Sequence, residues 1–127
     1  MSGLSESQIK NIEQALGLPL PADVREQYRA SNGLLGPTDC QLLYTYQGSL
    51  DKDIIHNNTI RNEDWFPEAF KSVVLIGNDG CGNSICYDWA TKEALLWNAA
   101  DGEWRQERRA TVTEIWSFVE AFYENVP

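Results

Sequence analysis

Hydrophobic residues recur at helical spacing near the N-terminus. Three of them lie three or four residues apart: Ile9, Ile12 and Leu16. Ser5 and Gln8 precede this set with the spacing of a capping box, in which each residue satisfies a backbone N–H of the other. Leu4 is placed to pack on Ile9 as a hydrophobic staple, and Gly17 is typical of a helix end. The pattern therefore predicts a first helix between Ser5 and Gly17.

A second helix is predicted directly afterwards. Pro21 suits a helix start, because the N–H that proline lacks has no partner in the first helical turn. Val24 and Tyr28 are the expected buried positions, and the Asn32-Gly33 pair is expected to end the helix. We expect the two helices to form an N-terminal hairpin.

Short apolar runs in the middle of the chain predict strands. Residues 42–46 have the pattern of one strand, whereas residues 51–64 fit either a helix or an ordered loop. Three antiparallel strands are expected further on, at residues 73–77, 84–88 and 93–98. A fourth short strand is predicted at residues 104–107, after an Asp-Gly pair that favours chain reversal.

The chain is predicted to close with a helix over residues 112–125. Thr111 and Glu114 form a second capping-box pair. One apolar stripe follows it: Ile115, Phe118, Val119 and Phe122. The resulting fold class is α+β, one domain over residues 1–127. It comprises the helical hairpin, a mostly antiparallel sheet of about four to six strands, and the C-terminal helix packed on that sheet.

A glycine-rich turn between residues 76 and 88 is the most distinctive local signal. Gly77, Gly80 and Gly82 would let the backbone reverse through positive φ between two apolar runs. A phosphate-binding loop is disfavoured, because a strand rather than a helix follows and Asp79 adds negative charge. The three glycines are therefore predicted to build a structural turn.

Composition narrows the classes of partner. Nineteen acidic and ten basic residues give a net charge of −9, which disfavours binding to nucleic acid or an anionic membrane and favours a basic protein. The longest apolar run, residues 73–76, is too short to span a membrane, and no signal peptide is visible. We therefore expect a cytoplasmic protein with its three cysteines reduced.

The sequence offers no set of catalytic or metal-binding residues. Four side chains are candidate zinc ligands, Cys40, His56, Cys81 and Cys86, but they lack the close pairs typical of zinc modules. His56 is the only histidine and has no patterned partner for acid–base work. The carboxylate pairs at 51/53 and 63/64 are expected on the solvated surface. We predict no enzyme activity, no cofactor and no metal.

Tryptophans carry more information about binding. Trp97 and Trp116 lie in apolar contexts and are expected in the core. Trp65 and Trp104 lie in acidic, turn-rich stretches. For these two, core packing and a role as interface anchors both remain open, since tryptophan is common in both settings.

Three segments resemble the SUKH superfamily. Residues 18–33 are similar to its Leu-Pro helix ending in Asn-Gly, residues 74–88 to its glycine-rich hairpin, and residues 115–122 to its closing helix. Asn83 differs from the aspartate that is frequent there. The family's founding fungal members regulate cell-wall synthesis, and many bacterial members are immunity proteins that neutralise toxin domains.

The resemblance implies an immunity protein that binds and blocks a bacterial toxin domain, with a nuclease as the expected activity of that toxin. The alternative is a non-catalytic regulatory or scaffold domain of the Smi/Knr type. In either case we expect a monomer or weak homodimer. An acidic surface bearing aromatic anchors would suit a basic toxin. Its candidate residues are Asp51, Asp53, Glu63, Asp64, Trp65, Asp101, Glu103 and Trp104.

Overall fold

The computed structural model describes residues 3–66, 68, 71–97 and 107–124. In these ranges the helices are α1 (Glu6–Leu16), α2 (Ala22–Ala30), α3 (Ile54–Asn57) and α4 (Val112–Glu124). The strands are β1 (Leu34–Leu35), β2 (Gln41–Leu43), β3 (Val73–Asn78), β4 (Ser84–Asp88), β5 (Glu93–Trp97) and β6 (Glu107–Arg109). The α+β, single-domain fold class is confirmed.

The N-terminal helices follow their sequence signals. The capping box of Ser5 and Gln8 is formed on α1, and the N–H of Gly17 closes the helix on the Glu13 carbonyl at 3.0 Å. Val24 and Tyr28 are buried on α2. The Tyr28 hydroxyl donates to the Tyr44 carbonyl at 2.7 Å, a buried bond that links α2 to the middle of the chain.

The middle of the chain is mostly helical turns. α3 lies between two 3₁₀ turns, Leu50–Lys52 and Asn58–Asn62, so the open choice between helix and loop resolves toward helix. Asn58 is buried and fixes this segment to β3. Its amide nitrogen donates to the carbonyls of Ile54 (2.8 Å) and Leu75 (2.9 Å), and its oxygen accepts from the Leu75 N–H at 2.9 Å. These bonds replace strand pairing for Leu75 on that side.

The main sheet has the antiparallel order β3-β4-β5-β6, and β1 pairs with β2 in a separate two-stranded sheet. Alternation along the strands gives the main sheet two buried faces. One face packs on the helices through Val74, Ile76, Ile85, Tyr87, Ala94 and Leu96. The other forms a smaller cluster of Val73, Leu75, Cys86, Leu95 and Trp97 with Phe66. The sheet is thus covered on both sides.

α4 packs on the sheet with one departure from the predicted stripe. Ile115, Trp116 and Val119 are buried, and the Trp116 indole donates to the Leu42 carbonyl at 2.7 Å. Phe122 is instead 53% exposed, because the last turn contacts the β3–β4 turn through the neighbouring residue, Tyr123. Among the helices described here, none has the length and apolar character needed to cross a bilayer.

Candidate partner-binding site

The β3–β4 turn is organised by the carboxylate of Asp79, which is 8% exposed. Oδ1 accepts the backbone N–H groups of Cys81 at 2.8 Å and Asn83 at 3.1 Å. Oδ2 accepts the side-chain amide of Asn83 at 2.7 Å. A carboxylate that accepts three N–H groups acts as a fixed template for the loop around it. The turn is therefore a rigid, negatively charged element.

The three glycines predicted for the turn are required for two different structural reasons. Gly80 and Gly82 have φ values of +77° and +90°, the left-handed region that glycine occupies without strain. Gly77 was expected in the same turn, but the structure places it within β3, beside a register shift between β3 and β4. A Cβ there would overlap the backbone carbonyls of Gln41 and Leu42. Close approach of β2, rather than positive φ, explains glycine at this position.

α4 and the loop before β2 hold the turn in place. The Tyr123 hydroxyl donates to the Asp79 carbonyl at 2.6 Å and lies 3.0 Å from the Cys81 sulfur. The hydrogen bond with Cys81 is the main cause that raises the pKa of Tyr123. Thr38 lies nearby and has φ +56°, which is unusual for a β-branched residue. Such strain persists only where surrounding contacts enforce it, so this end of the molecule is tightly built.

The three cysteines differ in accessibility. Cys81 is exposed, whereas Cys40 and Cys86 are buried. Burial raises the pKa of both buried thiols. Within the part of the chain that the structure describes, no three potential metal ligands of the His, Cys, Asp and Glu types gather. His56 lies exposed on α3.

The predicted acidic candidates of the middle segment fall into two groups. Asp53 caps α3 by accepting the His56 N–H at 2.9 Å, and its other oxygen accepts the Gln47 N–H at 2.8 Å. Asp51 accepts the Ser49 hydroxyl at 3.1 Å. Both therefore support the chain as well as contributing charge, and Asp53 is only half-exposed.

Glu63, Asp64 and Trp65 form the second group, which we call the acidic-Trp segment. All three are exposed, and Trp65 is 58% exposed. The ring of Trp65 meets Phe66 edge to face at 6.0 Å, and Phe66 is buried against Trp97 at 5.4 Å. The sequence leaves both core packing and a role as an interface anchor open for Trp65. The structure argues against core packing, because the Trp65 side chain is exposed and its ring connects to the core through Phe66. The remaining candidates, Asp101, Glu103 and Trp104, lie outside the described residues.

Several structural residues gave no clear sequence signal. Asn58 has the contacts described above, although nothing around it predicts burial. Arg61 donates to the carbonyls of Leu16 (2.9 Å) and Lys71 (3.0 Å), and burial lowers its pKa. Asp23 accepts both the N–H and the hydroxyl of Thr113 at the start of α4. An acidic residue in the first turn of α2 would be expected to stabilise that helix, but the residue that Asp23 binds, Thr113, lies 90 residues later in the chain.

The turn and α4, together with Leu96 of β5 and Glu107 of β6, line a half-open cavity of about 160 Å³. Asn83 lines this cavity and is 7% exposed, and its Oδ1 has no hydrogen-bond partner among the described residues. A buried acceptor without a donor is uncommon in folded proteins. Among the described residues, this cavity therefore contains one buried acceptor that is left without a donor.

Comparison with known proteins adds one finding. The family model for the SMI1 / KNR4 family (SUKH-1) matches residues 3–125. The match spans both the β3–β4 turn and the acidic-Trp segment. No curated protein shows a significant match to the chain.

Proposed function

Because the chain belongs to the SMI1/KNR4 family (SUKH-1), we propose that it is an immunity protein that binds and neutralises a basic toxin domain in the cytoplasm. Family members are generally protein-interaction domains. The proposal assigns this chain to the immunity branch and gives it a non-catalytic role, without cofactor or metal. The family match over nearly the full chain is the observation that carries it.

Charge supports the choice of a basic partner. The net charge of −9 attracts a cationic protein over distances of about 10 Å at 0.1 M salt. A toxin nuclease is cationic where it binds its substrate, so an acidic protein can cover that surface. Electrostatic attraction speeds encounter, whereas close apolar contacts slow dissociation.

The acidic-Trp segment has both properties. Glu63 and Asp64 are exposed, and the structure gives neither an ion pair among the described residues. Their charge is therefore free to act on a partner. Trp65 presents a large, partly rigid ring beside them, and tryptophan is enriched among residues that dominate interface energies.

The test needs a cognate toxin domain, which we would seek among the genes that flank this one. Removing charge with Glu63→Gln and Asp64→Asn should slow association and flatten its dependence on salt. Trp65→Ala should weaken binding by about 2 kcal/mol, mainly through faster dissociation. Glu26→Gln on α2 and Leu35→Ala, an exposed leucine at 62%, serve as controls for charge and for apolar area.

Two results would count against parts of this proposal. If the wild-type protein neither binds the toxin nor protects cells that express it, toxin neutralisation is wrong and a regulatory or scaffold role takes its place. If it protects but the three test variants, Glu63→Gln, Asp64→Asn and Trp65→Ala, all behave like the wild type, the acidic-Trp segment is not the binding surface.

A further inference from the structure

We propose that the cavity between the β3–β4 turn and α4 is a receptor for an arginine side chain of the protein partner. This inference rests on the proposed function for the nature of that partner, a basic protein. Three features of the cavity point to a guanidinium group: an acceptor without a donor and a carboxylate without a cation, both judged among the described residues, and an aromatic wall.

The acceptor is Oδ1 of Asn83. Its orientation is fixed, because the amide nitrogen donates to Asp79 Oδ2 at 2.7 Å. Exchanging the nitrogen and oxygen would place the amide oxygen against a carboxylate oxygen, which is repulsive. Oδ1 is therefore left facing away from Asp79 with no donor among the described residues. A ligand N–H that reaches it would recover the cost of a buried, unsatisfied oxygen.

The carboxylate is that of Asp79. Its hydrogen bonds come from neutral amide groups, and the structure shows no ion pair for it within the described ranges. Glu107, which also lines the cavity, is in contrast paired with Arg109 at 3.4 Å. The Asp79 charge and Asn83 Oδ1 lie within a few ångströms of each other, which suits the forked donors of a guanidinium group.

The aromatic wall comes from α4. Phe118 and Phe122 line the cavity, with Leu96 of β5 completing its apolar part. The Arg109 guanidinium already lies over the Phe118 ring, 5.0 Å from its centre. Phe122, 53% exposed, remains available for a second contact of that kind. Asn83 Oδ1 is shielded from solvent, so a donor reaches it only when the exposed side chain of Phe122 rotates to lie against the incoming guanidinium group.

Arginine suits this combination better than lysine or an anion. Its planar group stacks on an aromatic ring while donating in the ring's plane, whereas an ammonium ion acts as a compact charge. Its methylene stem can lie on Leu96 and Phe118. An anion would meet the carboxylates of Asp79 and Glu107.

The first experiment needs no toxin. We would titrate ¹⁵N-labelled protein with N-acetyl-L-arginine amide and follow the Asn83 side-chain amide and the Cys81 N–H by NMR. The uncharged N-acetyl-L-citrulline amide, which has the same shape, is the control ligand. We expect saturable shifts at these groups and at least fivefold weaker binding of the citrulline compound. Absence of saturable shifts there, or equal binding of both compounds, overturns the proposal.

A matched pair of variants then tests the aromatic wall. Phe122→Ala should weaken binding of the arginine compound at least threefold, while Leu35→Ala, which removes an exposed apolar side chain elsewhere, should leave it unchanged. Equal effects of the two variants contradict the assignment. Against the toxin, Phe122→Ala should likewise speed dissociation. If the arginine compound binds as expected but the toxin does not bind wild-type protein, the proposed function fails while the cavity assignment holds.

Discussion

The β3–β4 turn and the acidic-Trp segment are both acidic, yet they use their charge in opposite ways. Asp79 is 8% exposed and accepts three N–H groups, so its carboxylate orders the loop. Glu63 and Asp64 are exposed and free of ion pairs among the described residues. The Asp79 carboxylate holds the shape of its turn, whereas the exposed carboxylates of Glu63 and Asp64 are placed to attract a cationic partner at long range. Net charge alone does not distinguish them; burial and hydrogen bonding do.

The largest effect of a substitution on stability is expected at Gly77, where β3 lies against β2. Gly77→Ala would force a methyl group into the carbonyls of Gln41 and Leu42, and backbone cannot move aside as a side chain can. We expect a loss of about 3 kcal/mol in the free energy of unfolding. Gly82→Ala is the control: its Cβ would meet no atom within 4 Å, so only the left-handed backbone costs energy, about 1 kcal/mol. Equal denaturant midpoints for the two variants would refute the distinction between close approach and strain.

Removing one carboxylate from each acidic region tests whether the two regions contribute differently to stability. Asp79→Ala removes the acceptor of three N–H groups, one of them on a buried side chain, and should lower the free energy of unfolding by about 2–3 kcal/mol. Asp64→Ala should change the free energy of unfolding by less than about 0.5 kcal/mol, as expected for an exposed charge with no ion pair among the described residues. Chemical denaturation of both variants at one pH measures the difference. A cost for Asp64→Ala as large as that for Asp79→Ala would erase the contrast.

The acidic-Trp segment follows a part of the chain that depends on Asn58. Asn58→Ala would leave the Leu75 N–H and two carbonyls without their side-chain partner. We expect a loss of about 2 kcal/mol in the free energy of unfolding. Asn62→Ala, an exposed asparagine in the same 3₁₀ turn, should be close to neutral. Faster hydrogen exchange at Leu75 in Asn58→Ala alone would show that the effect is local. Matching stability losses in the two variants would argue against a role for the buried amide.

Local signals predicted most of the fold. The capping box at Ser5 and the apolar spacing of α1 depend on residues close in sequence, and both are confirmed. The resemblance to the SUKH superfamily is confirmed by the family match. Trp97 and Trp116 are buried as predicted.

The errors and omissions arise from contacts between distant parts of the chain. The sequence predicts a turn glycine at Gly77 because other glycines lie beside it. Glycine is instead required there because the carbonyls of β2, more than 30 residues earlier in the chain, leave no space for a Cβ. Phe122 continued a helical stripe, although nothing local shows that Tyr123 makes the contact at that end. Asn83 and Asp79, which are hydrogen-bonded to each other, lie only four residues apart in the sequence. Its unsatisfied oxygen, however, depends on α4 and β5 closing the cavity, which no local pattern encodes.

The smallest effect concerns two thiols of the same hairpin, Cys81 in the turn and Cys86 in β4. Burial raises the pKa of Cys86 in the folded protein, whereas an unfolded cysteine has a pKa of about 8.5. A raised folded-state pKa contributes stability that is fully present below the unfolded pKa and is lost as the pH rises above it. At pH 9.5 the loss from this one group should be about 1 kcal/mol relative to pH 8.

The variants Cys86→Ala and Cys81→Ala isolate that contribution. Cys86→Ala should be less stable than the wild type at pH 7, because it leaves a cavity, yet its free energy of unfolding should fall less steeply between pH 8 and pH 9.5. Cys81→Ala removes the exposed thiol and should keep the steeper fall. Tyr28 and Tyr44 also have raised pKa values from burial, but their unfolded pKa of about 10 places their main contribution at higher pH. If the free energy of unfolding falls equally with pH in the wild type and in Cys86→Ala, burial does not disfavour the Cys86 thiolate. The expected difference between buried Cys86 in β4 and exposed Cys81 in the turn would then be wrong.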